Sequence, residues 1–244
     1  MAWMSVLGIP AAVYVMSIVA LMVTISQKSQ KPFLLVGVGV LSAGIYMLHR
    51  VSIVEVEPMQ ARHRIALQHR KSLYGVSFLL LMVALVIFGT LQPWLLVLAS
   101  GAIVGVLVYG RKILHAPLRN RTFVKPFAVG SAIAVFAWVL NDCSNVTWTL
   151  GAFILLCSAD ALLCDLVDSK YDTATGCQTI ASRYSTFVVW SIAGSLYIIG
   201  ALSLQTTVGW LFLLLFPAPL FATKFLRTIV DVRPVLVLLL AWSL

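Results

Sequence analysis

Long apolar runs recur along the whole sequence, and they constrain the fold more than any other feature. Each run is about 15 to 19 residues long, close to the length that a helix needs to cross a lipid bilayer. Hydrophobic residues make up 61% of the chain and charged residues only 10%, with a mean hydropathy of +1.02. In lipid a helix satisfies its own backbone hydrogen bonds. The sequence therefore predicts an all-α, polytopic membrane protein that forms one domain over residues 1–244.

About nine membrane-spanning helices are expected from these runs. Short polar turns and proline-containing stretches separate them. No small-residue cleavage site follows the first run, so we expect that run to be retained as a helix. The predicted spans are residues 7–25, 32–48, 73–91, 94–109, 126–140, 146–163, 187–204, 208–222 and 230–244.

Basic residues concentrate in alternate loops, and this distribution indicates how the chain is oriented. The loops after the second, fourth, sixth and eighth spans, together with Arg233 near the start of the ninth, hold 15 of the 17 Lys and Arg residues, and only Lys28 and Lys31 lie on the other side. Positive residues mark the cytoplasmic loops of membrane proteins. We therefore expect a cytoplasmic amino terminus and a carboxyl terminus on the opposite side. A nucleic-acid partner is not expected, because it would favour basic residues on one folded soluble face.

Three aspartates follow the sixth run at a spacing that a helix would align in one stripe. Asp165, Asp168 and Asp172 are three and four residues apart, so their carboxylates would face nearly the same direction. Like charges this close repel, and they are costly at the end of a hydrophobic run unless a cation or a water-filled cavity receives them. Carboxylate oxygens suit Mg²⁺, which also bridges to substrate phosphates. The sequence therefore predicts a Mg²⁺ site here; the alternative is a solvated helix end in a cytoplasmic loop.

The segment DLVDSKYDTATGCQTIASRYS resembles the second aspartate-rich motif of the UbiA superfamily of intramembrane prenyltransferases. That motif has the form D-x-x-D-x-x-x-D-x-x-x-G, and Asp165, Asp168, Asp172 and Gly176 match it position by position. The resemblance implies the same helix count, arranged around a central cavity that opens to the cytoplasmic side. It also implies that the three aspartates are catalytic and bind Mg²⁺, with an isoprenyl diphosphate as donor and a lipophilic molecule as acceptor.

A second stretch, YGRKILHAPLRNRTFVKP, resembles the loop that follows the fourth helix in this family. The resemblance implies that Tyr109, Arg119, Arg121 and Lys125 bind the substrate diphosphate. Physical chemistry supports the same role, because Arg and Lys beside carboxylate-held Mg²⁺ would bind the phosphates and neutralise the departing diphosphate. The alternative for each residue is that it anchors a helix end to anionic lipid headgroups.

His49 stands where the first aspartate-rich motif of the family would have its central Asp. The matching stretch is GIYMLHRVSIVE, in which Ile53 lies four residues on and the nearest acids are Glu55 and Glu57. Histidine is a poor ligand for Mg²⁺. We therefore expect His49 to donate directly to a substrate phosphate or to act as a base; the alternative is an interfacial histidine.

Three functions are consistent with these patterns. The first is a prenyltransferase that uses Mg²⁺ and transfers an isoprenyl group to a lipophilic acceptor, and the complete aspartate set favours it. The second is a non-catalytic UbiA-like subunit of a larger membrane complex, favoured by His49 and Ile53 in the degenerate first motif. The third is a transporter, for which we would expect charges deeper within the spans than the sequence indicates.

Overall fold

The structure, a computed structural model, describes residues 2–29, 31–52, 60–110, 121–141, 147–174, 177–221 and 225–243. In these residues the chain is helical, with short turns and no strand. The predicted all-α fold class is therefore confirmed. The chain divides into two compact units, the first formed by Met1–Met16 and Lys31–Pro117 and the second by Ser17–Gln30 and Leu118–Leu244.

The first unit is built around two long helices that pack side by side. Its helices are α1 (Ala2–Val6), the first part of α2 (Ile9–Ile25), α3 (Pro32–Ser52), α4 (Ala61–Gln68), α5 (Arg70–Leu91) and α6 (Trp94–Gly110). Gly44 of α3 lies against α5, where an added Cβ would stand 3.0 Å from Leu81. The Ser77 hydroxyl of α5 donates to the Gly44 carbonyl at 2.9 Å. The small side chain at Gly44 therefore lets α3 and α5 approach closely.

The second unit is built around one long helix that is packed on several sides. Its helices are the rest of α2, then α7 (Val124–Leu140), α8 (Thr147–Ala174), α9 (Ile180–Arg183), α10 (Thr186–Leu204), α11 (Thr207–Leu215), α12 (Ala218–Phe221) and α13 (Leu226–Ser243). α8 packs against α7, α10 and α13. A Cβ on Gly130 of α7 would lie 2.6 Å from the backbone nitrogen of Ser158. Glycine is therefore needed at residue 130, because the two helix backbones nearly touch there.

Each predicted span overlaps a helix in the described residues, and four helices are long and apolar enough to cross a membrane. These four are Pro32–Ser52, Arg70–Leu91, Trp148–Ala174 and Thr186–Leu204. Four shorter apolar helices of 10–17 residues accompany them: Ile9–Ile25, Trp94–Tyr109, Val124–Leu140 and Thr207–Leu220. The length and composition of these helices are those of an integral membrane protein.

The helices depart from the predicted spans in three places. α8 continues eleven residues beyond the predicted end at residue 163 and carries the aspartates on its last turns. The eighth predicted span is divided, because Pro217 has no N–H to continue the hydrogen bonding of α11. Part of the predicted basic loop after the second span forms helix α4.

Candidate functional site

The three aspartates of the motif lie on consecutive turns at the carboxyl end of α8, as the spacing predicted. Asp165 and Asp172 are buried, with 5% and 6% of their surface exposed, and the Asp168 side chain is 17% exposed. Carboxylates buried to this extent require counter-charges or hydrogen-bond donors. Both neighbouring helices, α7 and α13, supply such charges.

Lys125, in the first turn of α7, lies between two of the aspartates. Its Nζ atom is 2.7 Å from Asp165 Oδ1 and 3.1 Å from Asp172 Oδ2. The carbonyl of Arg121 accepts hydrogen bonds from the backbone N–H groups of Val124 and Lys125, both at 3.2 Å, and so fixes the start of α7. The lysine ammonium therefore bridges carboxylates that are seven residues apart on one face of α8.

Arg227, in the first turn of α13, pairs with the third aspartate. Its Nη1 atom lies 3.1 Å from Asp168 Oδ2, and the arginine side chain is 25% exposed. Asp168 is three residues from Asp165, which turns it by about 60° around the helix axis and directs it to a different neighbour. The aspartate stripe is thus divided, with Asp165 and Asp172 facing α7 and Asp168 facing α13.

The chain after α8 turns back and caps the site. The N–H of Cys177 donates to the Asp172 carbonyl at 2.7 Å. Thr179 begins α9 with a capping box, in which its hydroxyl accepts from Ser182 N–H and the Ser182 hydroxyl accepts from Thr179 N–H. The fully buried Thr179 side chain also hydrogen-bonds Asp172. The short amphipathic segment predicted after the motif is therefore present, and it contacts the last aspartate.

One buried oxygen of this cluster has no hydrogen-bond partner. Asp165 Oδ1 contacts Lys125, whereas Asp165 Oδ2 is buried and lacks a donor. In the parts of the chain that the structure describes, no three His, Cys, Asp or Glu side chains converge in a way that would hold a metal ion. A cation at the position of the Lys125 ammonium would instead meet two carboxylates, which is the number of protein ligands that Mg²⁺ commonly takes beside substrate phosphates. Asp165 and Asp172 thus offer oxygen donors of the kind that Mg²⁺ takes, at a position that the Lys125 ammonium occupies in this structure.

A second buried ion pair, between Asp160 and Arg233, was not recognised in the sequence. Arg233 Nη1 of α13 lies 3.1 Å from Asp160 Oδ1 of α8. The guanidinium stacks over the ring of Tyr197, 4.7 Å from its centroid, and lies 5.9 Å from that of Phe216. The expectation that the span interiors carry no charge was therefore wrong. Asp160 within the predicted span 146–163 and Arg233 within the predicted span 230–244 were the signal, because a charge inside an apolar run requires a partner.

In the first unit, the end of α3 carries two basic residues that contact different helices. The His49 ring lies 6.0 Å from the ring of Tyr109 on α6. Arg50 donates to Tyr46 Oη at 2.6 Å and contacts His63 Nε2 of α4 at 2.8 Å. Because arginine can only donate, His63 Nε2 must be the acceptor and the ring proton must be on Nδ1. Two of the predicted diphosphate ligands, His49 and Tyr109, therefore lie in contact.

The remaining predicted residues are distributed as follows. Arg121 is exposed in the turn before α7. Arg119 lies outside the described residues, as do Gly176, Glu55 and Glu57. Tyr109 and His49 belong to the first unit, and Arg121, Lys125 and the aspartates belong to the second.

Comparisons with known proteins give no assignment: no family model, curated protein or solved structure matches the chain. The resemblance to the UbiA superfamily therefore remains a prediction that rests on the motif residues in the sequence.

Proposed function

We propose that this chain is a UbiA-like prenyltransferase of a membrane, which uses Mg²⁺, an isoprenyl diphosphate donor and a lipophilic acceptor. The observation that carries the proposal is the bridge from Lys125 to Asp165 and Asp172, beside the partnerless oxygen Asp165 Oδ2. Two buried carboxylates already share one cation at this point. The same oxygens are suited to a divalent cation that arrives with a diphosphate.

In this proposal the residues of the second unit handle the charge of the substrate. Mg²⁺, when bound, would neutralise the diphosphate and assist its departure from the prenyl carbon. Asp165 and Asp172 would supply oxygen ligands, and the motif assigns the same role to Asp168. Lys125 is the nearest cation to them, and its ammonium would bind the phosphate oxygens once the carboxylates have turned to the metal. Arg121, exposed at the start of α7, would bind the outer phosphate, and we assign Arg119 the same role from the sequence.

In the first unit, the resemblance to the family assigns an anion-binding role to two residues. Tyr109 and His49 would donate to the diphosphate directly, because no carboxylate occupies the position that the first aspartate motif would give it. The ring contact between these two residues supports a shared role.

The membrane arrangement that goes with this function has about nine spans around a central cavity. The amino terminus and the aspartate-rich site would be cytoplasmic, and the carboxyl terminus would lie on the opposite side, because the basic loops alternate in that way. Cysteines introduced one at a time at Gln27 and Arg64, in a chain whose four native cysteines have been replaced by serine, would test this. A membrane-impermeant maleimide applied to intact cells should label the first and not the second, and the reverse result would invert the topology.

One observation favours a second candidate, a non-catalytic UbiA-like subunit of a larger membrane complex. Each of the three aspartates already contacts a basic side chain of this chain, Lys125 or Arg227. A protein that had lost the reaction would retain such internal neutralisation to keep α8 packed. The two candidates differ in whether Mg²⁺ and a diphosphate displace these contacts.

The deciding experiment is Mg²⁺-dependent diphosphate release by the full chain in lipid nanodiscs. Geranyl, farnesyl and geranylgeranyl diphosphate would be offered, with native lipid extract as the source of acceptor. We expect release from the wild type and none from Asp168→Asn, while Asp142→Asn, in the predicted turn after the fifth span, should resemble the wild type. If the wild type binds donor but releases no diphosphate, the non-catalytic candidate is favoured. If it neither binds donor nor releases diphosphate, the enzyme proposal fails.

A further inference from the structure

Two arginines of α13 pair with two aspartates of α8, and their surroundings differ sharply. Arg233 and Asp160 are 1% and 4% exposed, whereas Arg227 and Asp168 are 25% and 17% exposed. The ion-pair distance is 3.1 Å in both. The inner pair is sealed among aromatic rings, whereas the outer pair is partly exposed. The outer arginine is therefore accessible to a ligand in a way that the inner one is not.

Arg227 also stands opposite Lys125 across the aspartate stripe. Lys125 reaches Asp165 and Asp172 from α7, and Arg227 reaches Asp168 from α13. An anion bound at the carboxylates through a metal ion would thus be flanked by a basic side chain on each side. The guanidinium is the better suited of the two to a diphosphate, because its planar fork matches two phosphate oxygens at once.

We propose that Arg227 is a further diphosphate-binding residue, which exchanges its contact with Asp168 for the phosphate oxygens of the substrate. This inference rests on the proposed function and adds to it a residue that the sequence did not single out. The exchange follows from charge. When the aspartates take up a divalent cation, Asp168 attracts Arg227 less strongly, and the incoming diphosphate attracts it more.

The test is the binding of farnesyl thiodiphosphate, whose carbon–sulfur bond resists ionisation, to the full chain in nanodiscs with Mg²⁺. Arg227→Gln should weaken binding about tenfold or more, as expected for the loss of a charge-assisted hydrogen bond. Arg227→Lys should lose less affinity, because it keeps the charge and lacks only the fork. Arg183→Gln is the matched control: this arginine lies on α9, contacts Gln178 and should leave binding unchanged.

A purely structural role predicts a result of the opposite sign. If Arg227 served only as the counter-ion of Asp168, its removal would free that carboxylate for Mg²⁺, and binding of the analogue would be unchanged or tighter. Unchanged or tighter binding by both Arg227 variants would therefore overturn the inference and leave the proposed function standing. No binding by the wild type would overturn both. If Arg227→Gln fails to fold, Arg227→Lys decides, because it preserves the pair with Asp168, and wild-type affinity in that variant would count against the inference.

Discussion

The guanidinium of Arg233 on α13 lies 3.1 Å from the carboxylate of Asp160 on α8, and the two side chains are only 1% and 4% exposed. A buried pair of this kind is costly to break from one side, because the remaining charge is left without its partner. The pair is therefore a determinant of how α13 docks on α8. Its strength is best measured by comparing single and double replacements.

Arg233→Met should destabilise the protein by about 3–5 kcal/mol, because the Asp160 carboxylate would remain buried without its partner. The double variant Asp160→Leu with Arg233→Met should recover most of the loss, since both charges leave together. Thermal unfolding in detergent, followed by size-exclusion chromatography, would measure both. Arg183→Met, at an exposed arginine of α9 that contacts Gln178, should change little. A double variant no more stable than Arg233→Met would refute the argument.

Gly130→Ala should lower the melting temperature, because the new Cβ would lie 2.6 Å from the backbone nitrogen of Ser158. Overpacking of this kind costs about 1–3 kcal/mol. Gly151→Ala is the control on α8, where an added Cβ would meet nothing within 4 Å. Alanine there should preserve or raise stability, because it favours the helix over glycine. Equal melting temperatures for the two variants would show that α7 and α8 do not approach as closely as described.

Lys125→Met should increase the stabilisation that the protein gains from Mg²⁺. Without the ammonium, Asp165 and Asp172 repel each other and offer their oxygens to any cation that enters. The difference in melting temperature between Mg²⁺ and EDTA would be measured for the variant and for the wild type. Lys170→Met is the control, because this lysine is exposed and lies on α8 between Asp168 and Asp172. Its melting temperature should differ between Mg²⁺ and EDTA by as much as that of the wild type. A smaller Mg²⁺ effect in Lys125→Met would indicate that the carboxylates do not bind the metal.

Thr179→Ala should loosen the segment that follows α8. The capping box is lost, at about 1 kcal/mol, together with the hydrogen bond to Asp172. Hydrogen exchange of the backbone amides from Thr179 to Tyr184 should become faster. Ser185→Ala, which removes the longer 3.4 Å cap of α10, should have a smaller effect. Unchanged exchange in Thr179→Ala would mean that the cap does not hold this segment.

The helices and the aspartate stripe were predictable because both depend on local pattern. The apolar runs gave the positions of the long helices in the described residues, and the seven-residue spacing of Asp165 and Asp172 gave their common face, whereas Asp168 turned to a different neighbour. The end of α8 was misjudged because polarity alone was used to end the span. Helix propagation needs only backbone hydrogen bonds and suitable φ and ψ angles, so it continued through the charged residues to Ala174.

The partners of the aspartates were predictable only in part, because they depend on tertiary register. Lys125 was selected as a phosphate ligand, but its bridge between two aspartates depends on the close approach of α7 and α8 at Gly130 and Ser158. Arg227 and Arg233 were counted only as charges that orient the chain. Nothing local pairs either arginine with a residue about 60 to 70 positions earlier, and only the packing of α13 on α8 does so.

The length of α8 has a consequence for where chemistry can occur. Its 28 residues extend about 42 Å, whereas the hydrocarbon layer of a bilayer is about 30 Å thick. A helix that crosses upright therefore has about two turns to spare. Its polar carboxyl end, which includes Asp168 and Asp172, is the part that needs no lipid around it. That end would lie at the depth of the lipid headgroups. An amphiphile with a charged head and a long apolar tail places its head among the lipid headgroups and its tail in the hydrocarbon layer. Such a molecule, dissolved in the bilayer, would therefore reach the aspartates with its charged head at their depth.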